Sequence, residues 1–108
     1  MAKFMFKANY TKDGIAGVLR EGGSSRAKAI HSLAESAGGR IESTYWALGD
    51  TDIYLIADLP DAVSAASIAA TVGATGMASV TTTQLLTADE MDQLVAKSQG
   101  IDYRPPGG

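Results

Sequence analysis

The chain of 108 residues has no cysteine, which excludes disulfides, thiol catalysis and cysteine-ligated zinc or iron–sulfur sites. It has a single histidine, His31, which is too few for a multi-histidine metal site. No apolar run approaches the roughly 18 residues that a transmembrane helix needs. Lys3 and Lys7 interrupt the apolar start, so Met1–Tyr10 is not expected to be a signal peptide. We therefore expect a cytoplasmic protein with no metal, no cofactor and no membrane partner.

Positive charge is also scarce. Nine Lys and Arg residues stand against twelve Asp and Glu residues, for a formal net charge of −3. Nucleic acid is not an expected partner, because neutralising phosphates needs a basic surface. Hydrophobic residues are 45% of the chain, as in an ordinary globular domain of this length. We expect one domain over residues 1–99 and a tail over residues 100–108, where Pro105-Pro106 prevents regular structure.

Alternation, turn residues and β-branched side chains predict four strands. Residues 3–10, KFMFKANY, alternate with a period of two. Residues 40–48 and 52–59 flank Gly49-Asp50-Thr51, which predicts a hairpin. Residues 77–86 are rich in β-branched side chains, which favour strands.

Apolar residues at helical spacing predict helices between and after these strands. Residues 15–19 begin a first helical piece, which Gly22-Gly23 interrupts, and a second piece ends at Gly38-Gly39. An alanine-rich helix opens at Pro60-Asp61. Residues 87–90 match a capping box that starts a short last helix.

The predicted order is β-α-β-β-α-β with a terminal helix. Antiparallel strands with helices on one face give an α+β sandwich of the ferredoxin-like kind. The alternative is a generic α+β fold with another connectivity.

The faces of the sheet depend on the hairpin register. If Trp46 pairs with Tyr54, the face under the helices holds Ile41, Ser43, Tyr45 and Ala47 from the second strand. The open face then holds Thr44, Trp46, Leu48, Asp52, Tyr54 and Ile56, with Met5, Lys7 and Asn9. A one-residue change in register would exchange the two faces. An open face that mixes aromatic, apolar and polar groups predicts a ligand cleft and a homodimer or larger assembly of face-to-face sheets.

The run from Ala37 to Asp61, AGGRIESTYWALGDTDIYLIADLPD, resembles the GYD domain family. The shared features are a Gly-Gly-rich helix end, a strand ending in Tyr-Trp, a Gly-x-Tyr-Asp turn and a strand closing in Pro-Asp. The resemblance extends over about residues 4–92. It implies a ferredoxin-like domain related to dimeric α/β-barrel proteins, in a family without an established biochemical activity. The chain departs from the family at Thr51, where a tyrosine is expected, although Tyr54 could fill similar space.

Five residues are the predicted ligand contacts at the open face: Lys7, Asn9, Trp46, Asp52 and Tyr54. Trp46 and Tyr54 suit an aromatic ligand, but packing at a dimer interface is the commoner role of such side chains. Lys7 with Asn9 could hold an anion, and the alternative is a solvated strand lysine.

An enzyme would draw its acid–base groups from His31, Asp52 and Tyr54. Histidine titrates closest to neutral pH, but a lone helix histidine is more often an exposed residue. Asp52 is a candidate general base, with capping of the hairpin turn as the alternative. Since dimeric α/β-barrel relatives include cofactor-free monooxygenases and isomerases, the resemblance implies that alternative to a small-molecule-binding domain.

Arg26 follows Gly22-Gly23-Ser24-Ser25 at the start of a helical piece, where free N–H groups could hold a phosphate. The run lacks the Gly-Lys-Ser/Thr of a P-loop, so capping and a flexible break are the favoured interpretation.

Overall fold

A computed structural model describes residues 1–108. The elements follow in the order β1 (Ala2–Tyr10), α1 (Lys12–Glu21), α2 (Gly23–Ser36), β2 (Arg40–Trp46), β3 (Ile53–Leu59), α3 (Ala62–Ala74), β4 (Ala78–Leu85) and α4 (Ala88–Ser98). The strands form one antiparallel sheet in the order β2-β3-β1-β4. This order, with both crossovers on one face, is a ferredoxin-like fold and confirms the predicted α+β class.

The core lies between the sheet and the first three helices. Phe4, Phe6 and Ala57 project from the sheet toward Ala65 of α3 and are almost fully buried. A second group joins β1 and β3 to Ile30 of α2. Alternation along each strand therefore leaves Lys3, Met5 and Lys7 of β1 on the opposite, open face, as predicted.

The register of β2 on β3 differs from the predicted one. Tyr45 pairs with Tyr54, and Trp46 pairs with Ile53. The register also changes by one residue along the pair, at a β-bulge between Ile41 and Ser43, which places one extra residue in β2 and breaks the alternation.

Beyond the bulge, the predicted faces are wrong for four residues of β2, Ser43 to Trp46. Ile41 lies under the helices as expected, but Ser43 and Tyr45 lie on the open face. Thr44 and Trp46 lie under the helices, because their partners on β3 alternate between the two faces. The strand also ends at Trp46, so Leu48 belongs to the connecting loop.

The predicted break in the first helical layer is confirmed at Gly22, whose φ of 88° is in the region that favours glycine. Thr11 caps α1 by accepting a hydrogen bond from the Gly14 N–H. A Cβ on Gly14 would lie 1.9 Å from the Met77 carbonyl oxygen. The close approach of α1 to the start of β4 therefore requires glycine at this position.

The last helix, α4, lies away from the rest of the molecule. Its predicted capping box is present, with Thr87 and Glu90 bonded to each other's backbone. None of its residues is buried, and it makes at most slight contact with any other element. The molecule is consequently elongated, at 57 × 32 × 24 Å. None of the helices combines the length and the apolar character needed to cross a bilayer.

Candidate functional site

An apolar cavity of about 380 Å³ lies between the sheet and the helices. Phe6, Ala8 and Ile53 form its floor, while Val18 of α1 and Val72 of α3 belong to its walls. Thirteen of its twenty lining residues are hydrophobic. The volume lies in the range of about 300–1,000 Å³ that is usual for small-molecule sites. The cavity is therefore a candidate site on the helix-covered side, whereas the five ligand contacts predicted from the sequence were assigned to the open face.

Charged residues occur in the lining of this cavity on α1 and α2. Arg26 is near Glu21, with Nη1 3.8 Å from the carboxylate, and the hydroxyl of Ser25 donates to the same carboxylate at 2.8 Å. The Arg26 Nε is buried and has no hydrogen-bond partner. The cavity thus combines apolar walls with one unsatisfied cationic donor.

Tyr10 connects this cavity to the predicted ligand residue Trp46. The indole N–H of Trp46 donates to the Tyr10 hydroxyl at 3.2 Å, and Tyr10 is part of the cavity lining. The six-membered ring of Trp46 also lies close to Gly23 at the start of α2, where a Cβ would be 4.0 Å away. Trp46 therefore stands beside the helices, on the face opposite Tyr54.

Asp52 and Asn9 hold the β2–β3 loop to the end of β1. The Asp52 carboxylate accepts from the Tyr10 N–H at 2.9 Å, and the Asn9 side chain accepts from the Asp52 N–H at 3.0 Å. These bonds give Asp52 a structural role in the loop. Thr51, where the resemblance predicts a tyrosine, is buried.

The open face carries Lys7 and Tyr54 as directly paired neighbours, beside Tyr45. At one end of this face, Lys3 binds both Asp58 and Glu42. The hydrogen bond from Lys3 holds the pKa of Asp58 below its usual value, and Asp58 in turn raises the pKa of Lys3. The face thus has an aromatic part and an ion-pair network.

The structure does not gather the acid–base candidates into one site. His31 is exposed on α2, which covers the face opposite Tyr54. Asp52 lies at the edge between them, with its carboxylate on the Tyr10 backbone. Ligand binding by Lys7, Asn9, Trp46, Asp52 and Tyr54, and catalysis by His31, Asp52 and Tyr54, stay predictions.

The cavity residues that sequence reasoning missed carry no motif. Gly17 and Val18 of α1, Ile68 and Val72 of α3, and Leu33 of α2 are the apolar stripes that any core helix would show. The only sequence signal for this cavity is Arg26, a charged residue that follows the glycine break at the start of α2. No group of three or more His, Asp or Glu side chains is placed to hold a metal ion.

Comparison with known proteins agrees with this architecture. The family model of the GYD domain matches residues 4–95, which is most of the chain and includes the whole sheet except the first two residues of β1. No curated protein and no solved structure matches the sequence. The match runs through the Tyr45-Trp46 strand end and the hairpin that carried the resemblance. The chain belongs to the GYD domain family.

Proposed function

We propose that this domain binds a small, mainly apolar molecule in the cavity between its sheet and its helices. The cavity itself carries the proposal, because a half-open apolar pocket of about 380 Å³ in a domain of 108 residues leaves the core side chains that line it without packing partners on one side. Cores are normally packed without voids of this size, since each lost contact removes dispersion energy. A bound molecule with an apolar body would restore those contacts.

A substitution at Gly17 can test whether the cavity is the binding site. It lies within α1 and lines the cavity, and a Cβ there would meet only the end of the Arg20 side chain, at 3.8 Å. Gly17→Leu therefore fills cavity space without a backbone clash and adds helix propensity. Gly73 is the matched control, because it also lies in a helix, has open space around it and does not line the cavity.

The experiment is an NMR titration of the ¹⁵N-labelled full chain with 2-naphthalenemethanol, a neutral apolar probe. We expect saturable shifts at cavity residues such as Val72, with a Kd of about 1 mM or tighter for a probe of this size. Gly17→Leu should abolish them and Gly73→Leu should preserve them. Unsaturable shifts in the unsubstituted protein, or equal binding by Gly17→Leu, would refute the proposed site.

The same proposal includes association with a second copy of the chain through the open face. Met5 and Ile56 are adjacent partners at the middle of that face, and Tyr45 beside them is 71% exposed. In a dimer with two-fold symmetry, this patch on one copy contacts the same patch on the other copy. Lys3 and Asp58 place a positive and a negative side chain at the end of this face, so each can pair with the opposite charge on the second copy. The apolar stripe of α4 also lacks a cover, with Met91 and Val95 each 49% exposed.

Sedimentation velocity over a concentration series tests the association. We expect a dimer or larger assembly that Ile56→Lys dissociates, because a charge at the centre of the contact would be buried without a partner. Val63→Lys is the control, since Val63 is an equally apolar residue exposed on α3, on the helix side. A monomer at all concentrations, or an assembly disrupted only by Val63→Lys, would exclude the open face as the contact.

A further inference from the structure

We infer that the molecule held in the cavity carries a single carboxylate, or an equivalent planar monoanion, which binds the guanidinium of Arg26. This inference rests on the proposed small-molecule function of the same cavity and adds the chemical class of the ligand.

The first observation is the unsatisfied donor. The Nε atom of Arg26 is buried and bonds to nothing, although it lies in a residue that lines the cavity. A buried N–H of a charged group without an acceptor is costly, and native structures rarely leave one. The Arg26 side chain as a whole is 34% exposed, so a small rotation can turn the Nε side toward the cavity, where an acceptor on a ligand would remove that cost.

The second observation is that the Nε side of the Arg26 guanidinium has no hydrogen-bond acceptor, whereas Nη1 faces an acid. Nη1 is on the side of Glu21, whose carboxylate is 3.8 Å away and already accepts from Ser25. That distance is an ion pair without a hydrogen bond. The Nε side therefore keeps two N–H donors in the fork that matches both oxygens of a carboxylate.

The charges around the cavity select a monoanion. Its lining contains two arginines, Arg20 and Arg26, and two acids, Asp13 and Glu21. The local balance is neutral, so one negative charge can be accommodated by Arg26, whereas a phosphate dianion would meet the two carboxylates without enough compensation. The apolar walls require that the rest of the ligand be apolar.

The test compares two probes of nearly equal shape, naphthalene-2-carboxylate and 2-naphthalenemethanol, by NMR titration at neutral pH. We expect the carboxylate to bind the unsubstituted protein about ten- to a hundred-fold more tightly, the worth of a charge-assisted hydrogen-bond pair. Arg26→Leu should remove this preference, so that the two probes bind the variant with similar Kd values whatever its effect on the affinity for the alcohol. Arg104→Leu, in the exposed tail, changes the net charge equally and should leave the preference unchanged.

Glu21→Gln gives an independent readout. Because the Glu21 carboxylate competes for the same guanidinium, its neutralisation should raise the ratio of carboxylate affinity to alcohol affinity several-fold.

Equal binding of the two probes by the unsubstituted protein would overturn the inference while supporting the proposed function. So would loss of the preference in Arg20→Leu and its retention in Arg26→Leu. Binding of neither probe would refute the proposed function itself.

Discussion

The hydrogen bond from the Trp46 indole to the Tyr10 hydroxyl joins two strands, β2 and β1, that are not neighbours in the sheet. It passes over β3, where Ile53 pairs with both Trp46 and Ala8. This bond connects the edge strand β2 to a residue that lines the cavity.

Tyr10→Phe and Trp46→Phe should therefore not be additive. We expect a double-mutant cycle in urea unfolding to give a coupling of about 0.5–1 kcal/mol, the usual net value for one partly exposed hydrogen bond. Circular dichroism is the suitable probe, because Trp46 is the only tryptophan. A coupling of zero would mean that the bond contributes nothing to the free energy of unfolding.

Gly14→Ala should strongly destabilise the fold. The new methyl would lie 1.9 Å from the Met77 carbonyl oxygen, which is backbone and cannot rotate away. We expect a loss of about 3 kcal/mol or more in the free energy of unfolding.

Gly17→Ala, three residues along the same helix, should instead stabilise by about 0.5–1 kcal/mol, because its methyl has space. Chemical denaturation measures both changes. Equal effects of the two substitutions would show that α1 does not approach Met77 so closely.

The ion pair of Lys3 with Asp58 should stabilise the protein only at pH values where Asp58 is ionised and Lys3 is protonated. The folded pKa of Asp58 lies below its ordinary value of 3.8, so its contribution is complete above that pH and is lost as the pH falls through the lowered pKa. The folded pKa of Lys3 lies above 10.5, so its contribution is complete below that pH and is lost as the pH rises through the raised pKa.

Urea midpoints of Asp58→Asn and the unsubstituted protein, measured across pH, should thus differ by a constant amount near neutrality. The difference should shrink in strong acid and in strong alkali. Asp102→Asn, in the exposed tail, should show no such profile. A constant difference at every pH would contradict the assigned ion pair.

Thr87→Ala should loosen α4 without affecting the core. The substitution removes the capping box, which is worth about 1 kcal/mol, from a helix that has no buried residue to support it. Hydrogen exchange should accelerate about five-fold in α4 and stay unchanged in β1. Thr71→Ala, on the exposed side of α3, is the control and should leave α4 unchanged.

The sequence predicted the helices and strands better than it predicted which side chains face the helices, the open face or the cavity. Alternation in β1, the Gly22 break and the capping box at Thr87 are local signals, and each is confirmed. The bulge at Ile41 and Ser43 has no glycine or other local marker, so simple alternation placed Tyr45 and Trp46 on the wrong faces. The cavity arises only when α1, α2 and α3 lie together over the sheet, and no local pattern reports that spacing.

The extra residue in β2 also constrains how the length of this strand can change. Tyr45 and Trp46 are adjacent aromatic residues, and the bulge decides which of them is turned toward the helices and which toward the open face. Removing one residue between Ile41 and Thr44 would exchange their positions, presenting the indole at the open face and the phenol beside the helices. A family member that lacks this residue would thus have a different aromatic ring on each surface even with every aromatic residue of β2 retained.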